Sequence, residues 1–231
     1  MVGFNAGPLA RIEVVKKPKT ITTVADEGYN LKLLYDIESP NKSQLDIVKA
    51  MESAMVIVAA GDTGVGKTLC VMVELAKWLV DRKVRKVVLT KPEAVAGDII
   101  DPFNDYLVQT LGDDKLTNLL SKGKIRTLTV DQINHTTLKN TLVVMDNAEF
   151  ATSFELYSVI SRLGKGSTLV ILGDLHPVLP SKKSTKGFKQ LTDAIHNSIE
   201  DFTSTELVYV LFNKNEIVRS PLLRNFTTLF N

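Results

Sequence analysis

The segment Gly61-Asp-Thr-Gly-Val-Gly-Lys-Thr68 constrains the fold of this chain more than any other. It has glycines at the first and sixth positions of an eight-residue pattern, with Lys67 and Thr68 at the seventh and eighth. The continuous apolar run Met55–Ala59 precedes it, which is typical of a strand buried on both faces of a parallel sheet. Apolar residues then recur at helical spacing from Thr68 to Val80. A strand, a glycine-rich loop and a helix in this order predict a phosphate-binding loop.

Each residue type in this loop suits phosphate chemistry. Glycines let the backbone curl so that successive N–H groups face phosphate oxygens. We expect Lys67 to reach the β- and γ-phosphates of a nucleotide and the Thr68 hydroxyl to bind Mg²⁺. The loop residues predicted to bind the nucleotide are Gly61, Asp62, Thr63, Gly64, Val65, Gly66, Lys67 and Thr68.

Further apolar runs alternate with helical patterns along the chain. The other candidate strands are Lys86–Thr90, Ile125–Val130, Leu142–Met145, Thr168–Leu172 and Leu207–Phe212. Between them, Asp101-Pro102 opens a helix as cap and first-turn proline, Gly112 ends it, and Thr152–Glu155 forms a capping box for another. Ser220-Pro221 opens the last helix. This alternation predicts an α/β fold with a doubly wound, mostly parallel sheet, whose ligand site lies at the carboxyl ends of the strands.

Length and composition bound the organisation of the chain. Its 231 residues carry 28 Lys+Arg and 26 Asp+Glu, so the formal net charge is +2, which argues against binding nucleic acid by overall charge. Residues 1–39 predict an N-terminal extension of short β strands or an extended arm, and residues 40–231 predict the phosphate-loop core. A single cysteine, Cys70, excludes a disulfide framework and a four-cysteine zinc site. With no bilayer-length apolar run and no secretory signal, we expect a cytoplasmic protein without membrane contact.

A carboxylate is also needed to hold the metal. Asp146 ends the apolar run Leu142–Met145, so it lies at the tip of a buried strand. Asp146 and Thr68 are therefore predicted to be the protein ligands of Mg²⁺.

Six segments in order resemble the PhoH-like ATPases, a family related to the RecA-like core of superfamily-one helicases. The resemblance runs from about Pro40 to Phe230. The matching segments are Pro40–Gln44, Gly61–Thr68, Thr90–Gly97, Asp146–Glu149, Leu172–Asp174 followed by Leu179-Pro180, and Glu216–Leu222. The resemblance implies that Gln44 reads the adenine, that Asp174 senses the γ-phosphate, and that Arg219 acts as an arginine finger toward a neighbouring subunit.

The resemblance also implies an activity and its partners. The family binds ATP and hydrolyses it with Mg²⁺, forms ring-like homo-oligomers such as hexamers, and is linked to the handling or unwinding of single-stranded RNA or DNA. Lys67, Asp146, Glu149, Asp174 and Arg219 are accordingly the candidate catalytic residues.

Two positions depart from the family pattern. Asn147 stands where the family has a second acidic residue, and asparagine can orient a water but cannot accept its proton. Glu149 stands where the family has glutamine, and its carboxylate is a candidate substitute for the missing acid. We therefore expect weakened or differently organised hydrolysis, and we expect Asn147→Glu to raise turnover.

Alternatives remain at this point. Asn147 favours a nucleotide-binding switch or scaffold that has lost catalysis. Asp146–Phe150 also resembles a motif of thymidine kinases, although one cysteine cannot build their zinc module. The cluster of Lys182, Lys183, Lys186 and Lys189 is either a contact for a nucleic-acid backbone or a solvated basic face. Trp78 and Tyr157 are interpreted as packing or surface aromatics rather than as platforms for base stacking.

Overall fold

The computed structural model describes residue 37 and residues 40–97, 100–175 and 186–217. The strands in these ranges are β1 (Val56–Ala60), β2 (Lys86–Thr90), β3 (Ile125–Thr127), β4 (Thr141–Met145), β5 (Thr168–Gly173) and β6 (Leu207–Leu211). The α-helices are α1 (Lys42–Ser53), α2 (Lys67–Val80), α3 (Asp101–Leu111), α4 (Asp113–Ser121), α5 (Val130–Asn134), α6 (Ser153–Ser161) and α7 (Gly187–Ser198). Short 3-10 turns span Glu93–Val95, Ala148–Phe150, Ile199–Asp201 and Lys214–Glu216.

The six strands form one sheet in the order β3-β2-β4-β5-β1-β6. Each neighbouring pair is parallel. In the centre, Val56 of β1 pairs with Leu169 of β5 on one side and with Leu207 of β6 on the other. Because all the strands run the same way, their carboxyl ends lie along one edge, which is where the predicted site residues follow β1, β4 and β5.

Helices cover both faces of the sheet, as a doubly wound sheet requires. Side chains alternate along each strand. Ile57 and Ala59 of β1 join the apolar cluster that α1, α2, α3 and α4 cover, whereas Val58 and Ala60 join the one under α5, α6 and α7. The predicted α/β class, the doubly wound arrangement and the parallel sheet are therefore confirmed.

The predicted strand Ile125–Val130 was too long. It ends at Thr127, because the next residues begin a helix. The Thr129 hydroxyl accepts the N–H of Gln132 at 3.2 Å, and the Gln132 side chain accepts the N–H of Thr129 at 3.0 Å. This capping box commits Val130 to α5 and was readable in the sequence as Thr-x-x-Gln.

Helix boundaries follow the sequence with small shifts. The cap of α3 is Ile100, so Asp101 is the first helical residue and not the cap. Gly112 ends α3 as predicted, with φ of 86°, and α4 starts immediately after it, which was not anticipated. The capping box at Thr152 before α6 is confirmed.

Several predictions lie outside the described residues. They concern Leu179-Pro180, Lys182, Lys183, Arg219, the helix from Ser220, and the N-terminal extension, of which only Ile37 is described. None of the helices within the described ranges is long and apolar enough to cross a membrane.

Candidate functional site

The glycine-rich loop joins β1 to α2 and needs glycine at specific places. Gly64 and Gly66 have φ of 85° and 86°, in the left-handed region that side-chain-bearing residues rarely adopt. A Cβ on Gly61 would lie 2.6 Å from the Cβ of Phe212, just after β6. The backbone therefore curls tightly in front of the N-terminus of α2, which is the geometry that holds a phosphate.

Lys67 opens α2 and turns its ammonium back into the loop. Its side chain is 7% exposed. Its Nζ donates to the carbonyl oxygens of Gly61 and Asp62 at 2.7 and 2.9 Å, and to Oδ1 of Asp174 at 2.6 Å. All three ammonium hydrogens thus have protein acceptors, and the ion pair with Asp174 connects the loop to the end of β5.

Thr68 and Asp146 lie together, as the sequence predicts for metal ligands. The Thr68 hydroxyl donates to Oδ2 of Asp146 at 3.1 Å. The other carboxylate oxygen, Oδ1, accepts the N–H of Asn147 at 2.9 Å. The carboxyl is buried, and its segment is aligned by the Asp146 N–H, which donates to the Thr90 carbonyl at 3.1 Å.

Burial raises the pKa of the Asp146 carboxyl, and it outweighs the N–H of Asn147 and the Thr68 hydroxyl, which lower it. The charges of Lys67 and Lys91 also act in the lowering direction. A hydroxyl and a buried carboxylate side by side are oxygen donors of the kind Mg²⁺ prefers, with phosphates and waters completing its shell. Among the described residues, no cluster of three or more His, Cys, Asp or Glu is arranged to hold a metal alone. The donor set therefore fits Mg²⁺ bound together with a phosphate.

Asn147 occupies a backbone conformation that explains part of its presence. Its φ of 56° and ψ of 37° are left-handed, where asparagine is among the better tolerated residues. Its side-chain amide donates to Oε1 of Glu149 at 3.3 Å. The residue that departs from the family pattern thus orients the acid two positions further on.

Glu149 is brought into the site by the short turn Ala148–Phe150. Its Oε2 accepts the backbone N–H of Asp174 at 3.0 Å, so it links the segment after β4 to the end of β5. Burial raises the pKa of the Glu149 carboxyl above its ordinary value of 4.5, and the negative charge of Asp174 raises it further. A raised pKa brings a carboxylate closer to the range in which it works as a general base.

These side chains line one pocket of about 410 Å³. The residues around it are Thr63, Gly64, Gly66, Lys67, Thr68, Leu69, Tyr106, Asp146, Asn147, Glu149, Gly173 and Asp174. Tyr106 was missed by the sequence reasoning. It lies on α3 next to the core residue Leu107, and in the sequence only its hydroxyl distinguishes it from a packing residue.

Lys91 is a second cation near the site that the residue pattern alone did not single out. It is buried after β2, and its Nζ lies 5.8 Å from the centroid of the Phe103 ring. Because β2 pairs with β4, Lys91 is placed beside the segment that carries Asp146. Its charge contributes to keeping that carboxylate ionised.

Gln44 contacts the loop but does not line the pocket. It is 3% exposed, and its Oε1 accepts the N–H of Asn41 at 3.0 Å in the capping box of α1. Its Nε2 donates to the Val65 carbonyl at 3.3 Å. Both ends of the amide are therefore engaged within the chain, and the reading of adenine by Gln44 stays a prediction.

The other residues predicted to bind or act on the nucleotide lie either in the glycine-rich loop or outside the described residues. Asp62 and Val65 are buried in the loop, whereas Thr63 lines the pocket. Arg219 lies outside the described residues, so its finger role stays a prediction.

Trp78 is a packing aromatic whose indole N–H donates to Glu74 at 2.9 Å, while Tyr157 is a surface aromatic. Burial raises the pKa of Cys70 to about 12, which makes it an unreactive core thiol.

Solved structures with this fold include phage terminases. The large terminase of a thermophilic bacteriophage superposes with a TM-score of 0.54 at 13% identity, covering 84% of this chain and 50% of that chain. The same protein in complex with ATP-gamma-S gives a TM-score of 0.51 at 13% identity, covering 82% of this chain and 49% of that chain. At this identity the likeness shows the fold alone.

Curated relatives share sequence as well as fold. Protein PhoH of Escherichia coli (strain K12) is 28% identical over 201 residues, which cover 79% of this chain and 54% of the relative. The PhoH-like protein of Synechocystis sp. is 26% identical over 203 residues, covering 81% of this chain and 60% of the relative. The chain thus spans somewhat more than half the length of these relatives. The sequence model of the family described as PhoH-like protein matches residues 36–231, and because this is most of the chain, the protein belongs to the PhoH-like family.

Proposed function

We propose that this protein binds Mg-ATP, hydrolyses it, and couples hydrolysis to the handling of single-stranded RNA or DNA. The observation that carries the proposal is the convergence of Lys67, Thr68, Asp146, Glu149 and Asp174 on one pocket at the carboxyl edge of the sheet. Family membership supports the same activity, and the fold is compatible with it.

Nucleotide binding requires a rearrangement at Lys67. Its ammonium is held by Asp174 at 2.6 Å, so it must leave that carboxylate to contact the β- and γ-phosphates. The curled backbone at Gly64 and Gly66 then supplies N–H donors to the phosphates. Asp174, which lines the same pocket, would then be free to respond to the γ-phosphate, and this supports a sensor role.

Thr68 and Asp146 are the residues that would hold Mg²⁺, which neutralises charge on the phosphates. Asp146 is buried, and burial raises the pKa of its carboxyl. A bound cation favours the ionised carboxylate, so metal and phosphate binding reinforce one another.

Glu149 is the proposed general base. It lines the pocket, its pKa is raised by burial and by Asp174, and the amide of Asn147 orients its carboxylate. It would accept a proton from the attacking water, which is the task that Asn147 cannot perform. Asn147 and Glu149 thus act together in place of a single acidic residue.

Arg219 is proposed to complete the site from a neighbouring copy in a ring-like homo-oligomer, such as a hexamer. No arginine is found among the described residues that line the pocket. Phosphoryl transfer commonly uses an arginine supplied from another subunit. The size of the particle in the presence of nucleotide tests this part of the proposal.

A nucleotide-binding switch without catalysis is the second candidate. It is favoured by the full occupation of the Lys67 ammonium within the chain and by Asn147 at the acidic position. In this function, nucleotide binding would break the Lys67–Asp174 pair and reorganise the end of β5 without turnover.

The test is ATP binding and hydrolysis by the purified protein, with and without single-stranded RNA or DNA. Hydrolysis that single strands stimulate is the expected result. Tight binding without turnover would select the switch, and transfer of phosphate to a nucleoside would select a kinase. Lys67→Met serves as the variant that lacks the phosphate-binding ammonium, and Lys83→Met, which removes an exposed lysine on the surface, is its matched control.

A further inference from the structure

Helix α6 exposes two aromatic side chains next to each other. Phe154 and Tyr157 are each 71% exposed, more than any other large apolar side chain noted among the described residues. They are three residues apart, so they lie on the same face of the helix. The opposite face of α6 packs Leu156 and Val159 into the core. Exposed aromatic pairs of this kind are common at binding surfaces and are not needed for packing.

Two neutral polar side chains and one lysine lie near this aromatic pair. The Ser153 hydroxyl and the Gln190 side chain are bonded at 2.5 Å, which joins α6 to α7. A Cβ on Gly187 would lie 2.5 Å from the backbone nitrogen of Ser153, so the start of α7 packs on the start of α6. The exposed Lys186 directly precedes Gly187 and is therefore close to the first turn of α6.

Negative charge is absent from the exposed face of α6. Its one acid, Glu155, is buried, and its carboxylate accepts the N–H groups of Thr152 and Glu93 at 2.7 and 2.8 Å. On α7, Asp193 is paired with Lys189 at 2.6 Å. The surface made of Phe154, Tyr157, Ser153, Gln190 and Lys186, here called the aromatic face, thus has two aromatic rings, two neutral polar side chains and one lysine.

We propose that the aromatic face binds single-stranded nucleic acid, with bases stacked on Phe154 and Tyr157 and a backbone phosphate held by Lys186. The proposal deepens the proposed function and rests on it. Bases stack on aromatic side chains regardless of sequence, and cations beside the stacking residues follow the phosphates. Flat bases need only the two rings, whereas a stable interface with a second copy buries about 800 Å² per partner. Two aromatic side chains of about 200 Å² each supply too little of that area.

The position of α6 connects this surface to the nucleotide pocket. The helix begins four residues after Glu149, and the turn Ala148–Phe150 packs against α7 as well. A movement of Glu149 or Asp174 on nucleotide binding would therefore take place next to α6 and α7, the two helices that form the aromatic face.

Binding of fluorescent 20-nucleotide oligouridylate and oligothymidylate, measured by anisotropy, tests the proposal. The key variant is Phe154→Ala/Tyr157→Ala, compared with Phe154→Leu/Tyr157→Leu and with the aromatic exchange Phe154→Tyr/Tyr157→Phe. Phe202→Ala is the matched control, since Phe202 is an exposed aromatic (47%) beyond the far end of α7. All these side chains are exposed, so folding is retained, and thermal melting checks it.

The alanine and leucine doubles are expected to weaken binding at least about tenfold, because stacking on two bases is lost. The aromatic exchange and Phe202→Ala are expected to bind within about twofold of wild type, and basal ATP hydrolysis to be unchanged. Wild-type affinity in either the alanine or the leucine double variant would overturn the proposal that the aromatic face binds nucleic acid, while leaving the proposed function intact. A lower particle mass in the doubles with unchanged affinity overturns it in favour of a copy–copy contact. Failure of the wild-type protein to bind either oligonucleotide removes the aromatic face together with the nucleic-acid part of the proposed function.

Discussion

The Nζ atom of Lys67 lies 2.6 Å from Oδ1 of Asp174, so the cation expected to bind phosphate is paired with the residue expected to sense the γ-phosphate. The pair is largely buried, and it joins the start of α2 to the end of β5. Any ligand phosphate must compete with this carboxylate for the same ammonium. Under the proposed function, Asp174 would therefore have two opposing effects, since it would weaken nucleotide binding and also make the site respond to nucleotide.

Replacing Asp174 by asparagine is expected to tighten ADP binding several-fold and to lower ATP turnover. The amide keeps the shape of the side chain but no longer competes as an anion for Lys67. Titration calorimetry with Mg-ADP measures the first effect and phosphate release the second. Glu52→Gln is the control, because it removes a carboxylate from an exposed ion pair with Lys83 on the surface. Unchanged or weaker ADP binding in Asp174→Asn would show that the pair does not compete with the nucleotide.

Glu149→Gln is expected to lower turnover by about 100-fold or more while ADP affinity stays close to that of wild type. The substitution removes the proton acceptor but keeps a side chain that can bond to Asn147 and to the Asp174 N–H. Single-turnover hydrolysis separates the chemical step from binding. If Glu149→Gln turns over like wild type, the base lies elsewhere.

In the Glu149→Gln background, Asn147→Glu is expected to raise turnover again, because it returns a carboxylate to the pocket. The sequence likewise predicts that an acid at position 147 promotes hydrolysis. The left-handed backbone at position 147 makes glutamate less stable there, by about 1 kcal/mol. Urea denaturation measures that loss, and a double variant no faster than Glu149→Gln would contradict the expectation.

The raised pKa of Glu149 predicts how stability varies with pH in the nucleotide-free protein. Below its ordinary value of 4.5, the carboxyl is protonated in both the folded and the unfolded chain, and its contribution to stability is fully present. As the pH rises through the higher pKa of the folded state, the unfolded chain loses its proton first and stability falls. The charge that opposes ionisation of Glu149 is that of Asp174, whose backbone N–H it contacts and whose carboxylate is paired with Lys67.

The free energy of unfolding of wild type relative to Glu149→Gln should therefore decrease as the pH increases from about 4.5. Urea denaturation at a series of pH values measures this difference, and the comparison cancels the parallel contribution of Asp146. A difference that is constant, or that grows with pH, would mean that burial does not raise the pKa of Glu149.

Thr68→Ala is expected to increase the Mg²⁺ concentration needed for half-maximal nucleotide binding by about tenfold, and Thr68→Ser is expected to retain wild-type behaviour. The hydroxyl lies 3.1 Å from Oδ2 of Asp146, and serine keeps that oxygen donor. Nucleotide binding with and without EDTA supplies a readout that does not depend on hydrolysis. Equal Mg²⁺ requirements in the alanine and serine variants would exclude Thr68 as a metal ligand.

Gly61→Ala is expected to destabilise the fold by about 1–3 kcal/mol through overpacking. The added Cβ would lie 2.6 Å from the Cβ of Phe212 and 3.1 Å from its carbonyl oxygen, so the loop and the segment after β6 must move apart. Gly97→Ala is the matched control, since nothing lies within 4 Å of the Cβ it adds. Chemical denaturation of both variants measures the difference, and equal stability would show that the loop yields easily.

Local patterns in the sequence determined the loop, five of the six strands to within a residue or two, and the capping box of α6. These features depend on short-range physics: glycine for the left-handed turns at Gly64 and Gly66, apolar runs for buried strands, and side-chain caps for helix starts. A capping box at Thr129–Gln132, which follows β3 and starts α5, is also visible in the sequence, but the sequence analysis did not predict it.

Only the tertiary structure decided which side chains meet. Lys67 and Asp174 are 107 positions apart in the chain, and they pair because β5 lies next to β1 in the sheet. Likewise, the turn after β4 brings Glu149 to the N–H of Asp174, and the packing of α3 on α2 brings Tyr106 to the pocket. A sequence pattern specifies what each residue can do within a few positions of itself. The order in which strands and helices pack decides the rest: which partner a charge meets, how far burial raises the pKa of a carboxyl, and whether Phe154 and Tyr157 are exposed.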